Sequence, residues 1–313
     1  CNLAEGLNFQ PGIRIETDCQ TCNYTQLRMN GLSGGYSQIL INGRPIFSPL
    51  TGLYGMEQIP VNMIDRIEIV RGGGSSLYGS SAIGGIVNVI TKLPSENNFS
   101  FGYDYAKINQ MTDDKVLHGN AAVVAASKNA GATFFVNNRA RMWYDHNGDN
   151  YSELPVLKDN TFGANFFFLP SKNQKLEVNM GSLHEFRYGG EMTAKPAHLA
   201  MQSEERVHDV LLGNLDYQVN FNGSASSFVV YLAAQQTKRE HYTGIRPEIG
   251  SVEDEVHLAN PPYGTSLNTT KQFGVQLNHK YNQFIGPNIF TIGSEYVLDD
   301  VMDEIEAYSY LVD

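Results

Sequence analysis

The hydrophobic pattern changes character once along the chain. Up to about residue 94, apolar residues come in short runs broken by Gly, Pro and Asn; beyond residue 98 they fall on alternate positions over long stretches. In the first part, Leu3–Leu7 predicts a short helix stopped by Pro11-Gly12. Ile13–Glu16, Gln26–Met29 and Ser37–Ile41 predict strands, followed by an Asn42-Gly43 turn. Ile59–Met63 predicts a second helix, and Ile64–Val70 and Ile86–Ile90 two further strands. The result is a mixed α/β unit of about 95 residues, too small for much of a core of its own. Pro94–Asn98 reads as a linker.

After the linker the period is two, the mark of strands whose faces meet different surroundings. Leu176, Val178 and Met180 share one side, opposite Lys175, Glu177 and Asn179. Phe228, Val230, Leu232 and Ala234 oppose Tyr231 and Gln235, and Phe273, Val275, Leu277 and Tyr281 oppose Gln272, Gln276, Asn278 and Lys280. Arg139 and Arg141 alternate with Ala140 and Met142. About nine strands are expected on this pattern. Longer connections follow the strands near 99–107, 132–144, 175–187 and 226–242, the last over residues 243–268. Short turns, at Lys128–Gly131, Pro170–Gln174, Phe221–Ser224 and Phe284–Pro287, follow the strands near 117–127, 161–169, 206–220 and 269–283. Outer-membrane barrels alternate long outer loops with tight periplasmic turns, whereas Greek-key sandwiches mix loop lengths. The pattern therefore favours a transmembrane antiparallel β-barrel. An odd strand number leaves it open, so the wall is expected to continue past Asp313.

Composition is compatible with this reading. Hydrophobic residues make up 42% of the chain, yet no window supplies the roughly 18 apolar residues of a membrane-spanning helix, so any crossing is by strands. Seventeen Tyr and 16 Phe stand against one Trp, and tyrosine suits a membrane–water interface. The net charge of −11 disfavours a nucleic-acid partner. Acidic clusters at Glu204–Glu205, Glu253–Glu255 and Asp299–Glu306 read as solvated loops.

Residues Ile64 to Lys92, IDRIEIVRGGGSSLYGSSAIGGIVNVITK, closely resemble the plug signature of TonB-dependent outer-membrane receptors. PGIRIE (11–16), LRMNGL (27–32) and ILINGRPI (39–46) resemble three upstream motifs of that family, in the family's order. The glycine run lacks the G-x-x-x-x-G-K-[ST] pattern of a phosphate-binding loop. The resemblance implies a TonB-dependent receptor plug domain over residues 1–94 and the first part of the barrel over 98–313, about nine strands of an expected 22 or so. The fold class is thus mainly β, with an N-terminal α/β plug. Compared with a complete member, a TonB box, the first plug segment and more than half of the barrel are expected to lie outside this stretch.

The resemblance also implies the function: capture of a scarce, bulky nutrient and its active import, powered by the TonB–ExbB–ExbD complex. The localisation would be the outer membrane of a Gram-negative cell, with outer-membrane lipid as a contact. The protein would carry no catalytic residue, resident metal or cofactor, although cargo may contain iron or cobalt. Binding without transport is the alternative. The family places cargo against the plug's apical loops, which here are Ser33–Ser37 and Phe47–Gln58 and offer Tyr36, Phe47, Tyr54 and Met56. Glu68 and Arg71 are implied plug–barrel contacts. The CNLAEG opening and the CxxC resemble receptors of Bacteroidetes-type bacteria, for which a metal chelate (siderophore, haem or cobalamin) is a plausible cargo and a surface lipoprotein an added partner.

Cys19 and Cys22 are candidates for a small disulfide, with redox and soft-metal roles (Cys1 adding a third thiolate) as the other readings. His146, His198 and His257 fall in expected outer loops, where they could ligate haem iron or a metal chelate. Asp145-x-Asn147-x-Asp149 has calcium-like spacing, but Asn150 replaces the required Gly and no Glu stands at position 12.

Overall fold

The computed structural model describes residues 3–19, 24–32, 34–44, 61–72, 78, 82–281, 286, 288–305 and 307. Its N-terminal domain starts with helix α1 (Leu3–Leu7) and the antiparallel pair β1 (Ile13–Cys19) and β2 (Tyr24–Met29). A second, three-stranded sheet has the order β3 (Ser37–Ile41), β5 (Gly85–Thr91), β4 (Ile64–Arg71). The central strand β5, GIVNVIT, is apolar almost throughout because both its faces are covered. It runs parallel to β3 and antiparallel to β4. Leu3, Leu7, Ile13, Leu27, Met29, Ile39, Ile41, Val87 and Val89 form the core. That core is completed from outside the domain: Phe135 is buried in it, and Leu212 packs against it. The limited internal core expected from the domain's size is met here by borrowing two side chains from the wall.

The rest is one open antiparallel sheet of nine strands in simple sequential order: β6 (Asn98–Ile108), β7 (Thr112–Val124), β8 (Ala130–Arg141), β9 (Val156–Ser171), β10 (Gln174–Gly190), β11 (Gln202–Phe221), β12 (Ser226–Ile245), β13 (Gly264–Tyr281) and β14 (Asn288–Ile305). The strands lengthen from 11 residues in β6 to 20 in β11 and β12. One face meets the N-terminal domain; the other is bare and apolar. On the bare face Val136, Phe162, Met180, Leu211, Leu232 and Phe273 are each roughly half exposed, an apolar band of the kind a membrane-facing barrel wall presents.

Several expectations are corrected, among them the acidic clusters at 204–205 and 299–305, which lie in strands β11 and β14 rather than in loops, Glu204 being buried. The first connection of the sheet is a three-residue turn, not a longer loop, and β7 starts at Thr112 rather than near 117. Asn109 and Gln110 turn the chain at positive φ, and Asp113 and Asp114, which look like loop residues, are pinned in the strand. Asp113 accepts from Tyr105 Oη at 2.8 Å, and Asp114 pairs with Arg139. The connection at 243–268 also contains a helix, α2 (Val252–Ala259), capped by Ser251 Oγ on the amide of Asp254 at 3.0 Å. The segment 59–63 shows only a 3-10 turn at Val61–Met63, residues 59 and 60 lying outside the described residues.

Candidate functional site

The N-terminal domain is fastened to the wall by Arg44. This residue follows the Asn42-Gly43 turn after β3, where both turn residues adopt positive φ. The turn is held by its own sheet: Gly43 N donates to Asn88 Oδ1 (2.8 Å), and Asn42 Nδ2 donates to Thr91 Oγ1 (2.9 Å). Arg44 thereby projects to Asp216 on β11, donating from Nε to Oδ1 at 2.8 Å and from Nη2 to the same oxygen. Its guanidinium also lies 3.4 Å from the centre of the Tyr231 ring on β12, a cation–π contact. Both charged side chains are only 13% exposed, so this pair is far less screened than a surface one. Asn214 Nδ2 braces Asp216 at 2.5 Å, and the Tyr231 hydroxyl donates to Glu295 on β14.

Asp216, Tyr231, Gly274 and Glu295 are direct neighbours across four strands. Gly274 is required here: a Cβ at this position would sit 2.2 Å from Tyr231 Cζ, so any side chain would lift the ring off the strand. The same device recurs at the core contact, where the Phe135 ring lies over Gly163 with only 2.0 Å for a Cβ. A second seat is polar. Asn62 Nδ2 donates to Asn120 Oδ1 (3.2 Å) and to the carbonyl of Val136 (3.2 Å).

Nearer the long loops, the same inner face carries a cross-strand row of polar and charged side chains. Arg139, Asp159, Glu185, His208, Arg239, Ser266 and Asp303 stand in register on seven successive strands. They are paired among themselves and with adjacent rows. Arg139 grips Asp114 at 3.0 and 2.6 Å; Glu185 takes Arg187 at 3.1 Å and faces His208 at 3.5 Å. Arg239 Nη2 donates to Ser266 Oγ (2.8 Å), which passes a hydrogen bond to Asp303 (2.6 Å). Buried ions require such pairing, and the row gives the wall a stiff polar lining.

The loops between β10 and β11 and between β12 and β13 bring His198 and His257 together, with ring centres 6.3 Å apart. His198 Nδ1 meets Tyr263 Oη at 3.1 Å; His257 Nε2 meets the His198 carbonyl at 2.9 Å and Tyr242 Oη at 3.4 Å. Tyr188, Tyr242, Val156 and Ala197 form the apolar base, with Trp143 against it. Burial, then the neighbouring His257, holds the His198 ring below its ordinary pKa. The folded loops therefore bind fewer protons than the unfolded chain. Their packing is expected to be fully present above about pH 6.5 and to weaken as the pH falls below it. Hydrogen exchange of residues 197–200, corrected for intrinsic rates, should rise between pH 7.5 and 5.5, and His198→Gln should flatten that rise. An unchanged pH response in the variant would rule His198 out as its source.

The other sequence candidates are scattered. Tyr36 is half exposed on the 3-10 turn Gly34–Tyr36, and its carbonyl accepts from Gly84 N at 2.7 Å. Phe47, Tyr54, Met56, Cys1, Cys22 and the Cys19 side chain lie outside the described residues. The described partners of Glu68 are Arg66 (3.0 Å) and Asn88 (3.2 Å), and that of Arg71 is the Pro11 carbonyl, all within the N-terminal domain. His146 bonds Tyr144 Oη at 2.8 Å, apart from the His198–His257 pair. Asp145 takes the amides of Gly148 (2.6 Å) and Asn150 (2.9 Å), so the calcium-like loop is closed by its own backbone. Sequence reading passed over Arg44 because a basic residue after an Asn-Gly turn looks like ordinary solvated charge.

Comparison with known proteins follows the same division. The TonB-dependent receptor plug domain model matches residues 1–86. The vitamin B12 transporter BtuB of Vibrio cholerae is 37% identical over 94 residues, covering 30% of this chain and 15% of the relative. The ferric enterobactin receptor PirA of Pseudomonas aeruginosa is 31% identical over 108 residues, with the same coverage. Among solved structures, the siderophore receptor PirA from Acinetobacter baumannii superposes with a TM-score of 0.74 at 17% identity, over 95% of this chain and 45% of that one. The pyoverdine receptor FpvA of Pseudomonas aeruginosa gives 0.72 at 12% identity, over 97% and 45%. The chain thus spans about half of the solved proteins it resembles and 15% of the two sequence relatives, and the structural likenesses show the fold of sheet and N-terminal domain together. Residues 1–86 match the plug domain of TonB-dependent receptors, and the chain as a whole has the fold of such a plug joined to part of a β-barrel.

Proposed function

We propose that the full-length protein is an outer-membrane receptor and active transporter that captures a scarce, bulky metal chelate and imports it with energy from the TonB–ExbB–ExbD complex. Residues 1–94 act as its plug domain, and 98–313 as the first part of a barrel of about 22 strands. The observation that carries this reading is the clasp: among the described residues, a small domain is held against the polar face of the wall by the Arg44–Asp216 ion pair, the Tyr231 ring, the Asn62 amide and the apolar side chains of Phe135 and Leu212. A domain held by side chains rather than by shared strands fits one that must be both retained and displaced.

The sequence relatives named for vitamin B12 and ferric enterobactin support a metal chelate over a glycan as cargo, as does a single Trp in the chain. Cargo is proposed to touch first the plug apex, with Tyr36, Phe47, Tyr54 and Met56. Cys19 and Cys22 are proposed to close a disulfide, and Glu68 and Arg71 to meet strands that complete the wall.

A deletion strain supplied with cobalamin, haem or siderophore iron as its sole source of cobalt or iron is expected to fail on one of them. Equal growth of deletion and parent on all three would overturn import. Cells that bind a labelled chelate but never accumulate it would support a surface receptor instead.

A further inference from the structure

Helix α2 is mounted inside out. A surface helix normally turns its apolar stripe inward. In α2 the buried residue is Asp254, 3% exposed, whose carboxylate takes Arg246 through two bonds (2.7 and 3.0 Å) and the amide of Gly250 (3.0 Å). His257, on the same side, is tied to the His198 carbonyl. At 3.6 residues per turn, Val252, Val256 and Ala259 fall within about 60° of one another on the opposite face. Val252 is 73% and Val256 63% exposed, and Ile249, just before the helix, is 65% exposed. Glu253 flanks this stripe on one side and Glu255 on the other, both exposed. The helix cannot roll to hide its valines without breaking the Arg246–Asp254 pair. The Ser251 cap fixes its first turn as well.

We propose that α2 is a docking element for a second protein, one that presents an apolar groove with Lys or Arg along both rims and receives the helix lengthwise. Helix-in-groove recognition needs apolar anchors one turn apart, and Val252 and Val256 supply them on a pre-formed, immobilised helix. The two glutamates select the rim charge. They disfavour the anionic headgroups of a membrane surface. They also disfavour a second copy of this chain, which would bring the same acidic flanks. The inference rests on the outer-membrane location proposed above, and not on the cargo or on import.

The test places a photo-crosslinking residue at position 252 of the full-length receptor in its native outer membrane. The expected result is a discrete adduct with one other protein. Once purified, that protein should bind the full-length receptor in a salt-dependent manner. Val252→Asp with Val256→Asp should weaken binding by about tenfold or more, and Glu253→Lys with Glu255→Lys should do likewise, whereas Val252→Ile should not. These side chains are exposed, so receptor folding should be unaffected, which barrel heat-stability on gels would check. Four results would overturn the proposal: an adduct of twice the receptor's mass, an adduct to lipopolysaccharide, no adduct, or a purified partner whose binding ignores both double substitutions.

Discussion

Arg44→Met is expected to loosen the seat of the plug by about 2–3 kcal/mol, since it strands Asp216 in a poorly hydrated site and strips the face of Tyr231. In the full-length receptor, hydrogen exchange of the turn 41–44 should accelerate by roughly 30–150-fold if opening there is local. Asp216→Asn should have a smaller effect, because the amide oxygen still accepts from the arginine, while the amide nitrogen that replaces the second oxygen requires the Asn214 amide to turn over and accept from it. The double substitution should be milder than the sum of the two, with a coupling of at least about 1 kcal/mol. Strict additivity would show that the two residues do not act as a pair, and the clasp would then have to reside in Asn62 and Phe135.

Gly85→Ala should do more damage, through the backbone. Gly85 adopts φ of +145°, and a Cβ would lie 2.6 Å from the Val70 carbonyl of the adjacent strand and 2.7 Å from Met29 Cε. The side chain of Met29 can move; the carbonyl cannot, without separating β4 from β5. Strain and overpacking together are expected to cost about 3–5 kcal/mol, a large share of the stability of so small a domain. The plug region of the full-length receptor should become protease-sensitive, and cells should become permeable to bulky hydrophilic antibiotics. Gly6→Ala is the matched control: nothing lies within 4 Å of its added Cβ, and alanine favours α1. A protease-resistant Gly85→Ala plug would refute the steric account of this motif glycine.

Much of the architecture was legible in the chain. The helix at Leu3–Leu7 and the strand at Ser37–Ile41 stand where the pattern put them, because local signals there agree with the tertiary setting. The period-two segments form the sheet, since a wall with one dry face and one polar face writes that alternation directly into the sequence. What escaped has a common cause. Asp113 and Asp114 looked like loop because each finds its partner on a neighbouring strand, beyond any local window. Helix α2 was hidden in a long connection although Ser251 and the acidic first turn are a start signal, because its outward valines give no inward apolar stripe to detect. Arg44 and the paired row from Arg139 to Asp303 were visible as residues but not as partners, since register between strands is set by the sheet as a whole.

The graded strand lengths have a consequence for approach from outside. Eleven residues make β6 about 37 Å long and 20 make β11 about 68 Å, so at the usual tilt the rim climbs by roughly 20–25 Å from one side of the wall to the other. Anything arriving laterally over the membrane meets an unequal parapet: low at β6–β7, high at β11–β12. The tall side also carries α2, in the connection between β12 and β13. In an outer-membrane barrel of the kind proposed above, the low stretch would sit nearer the neighbouring lipid head groups than the tall one.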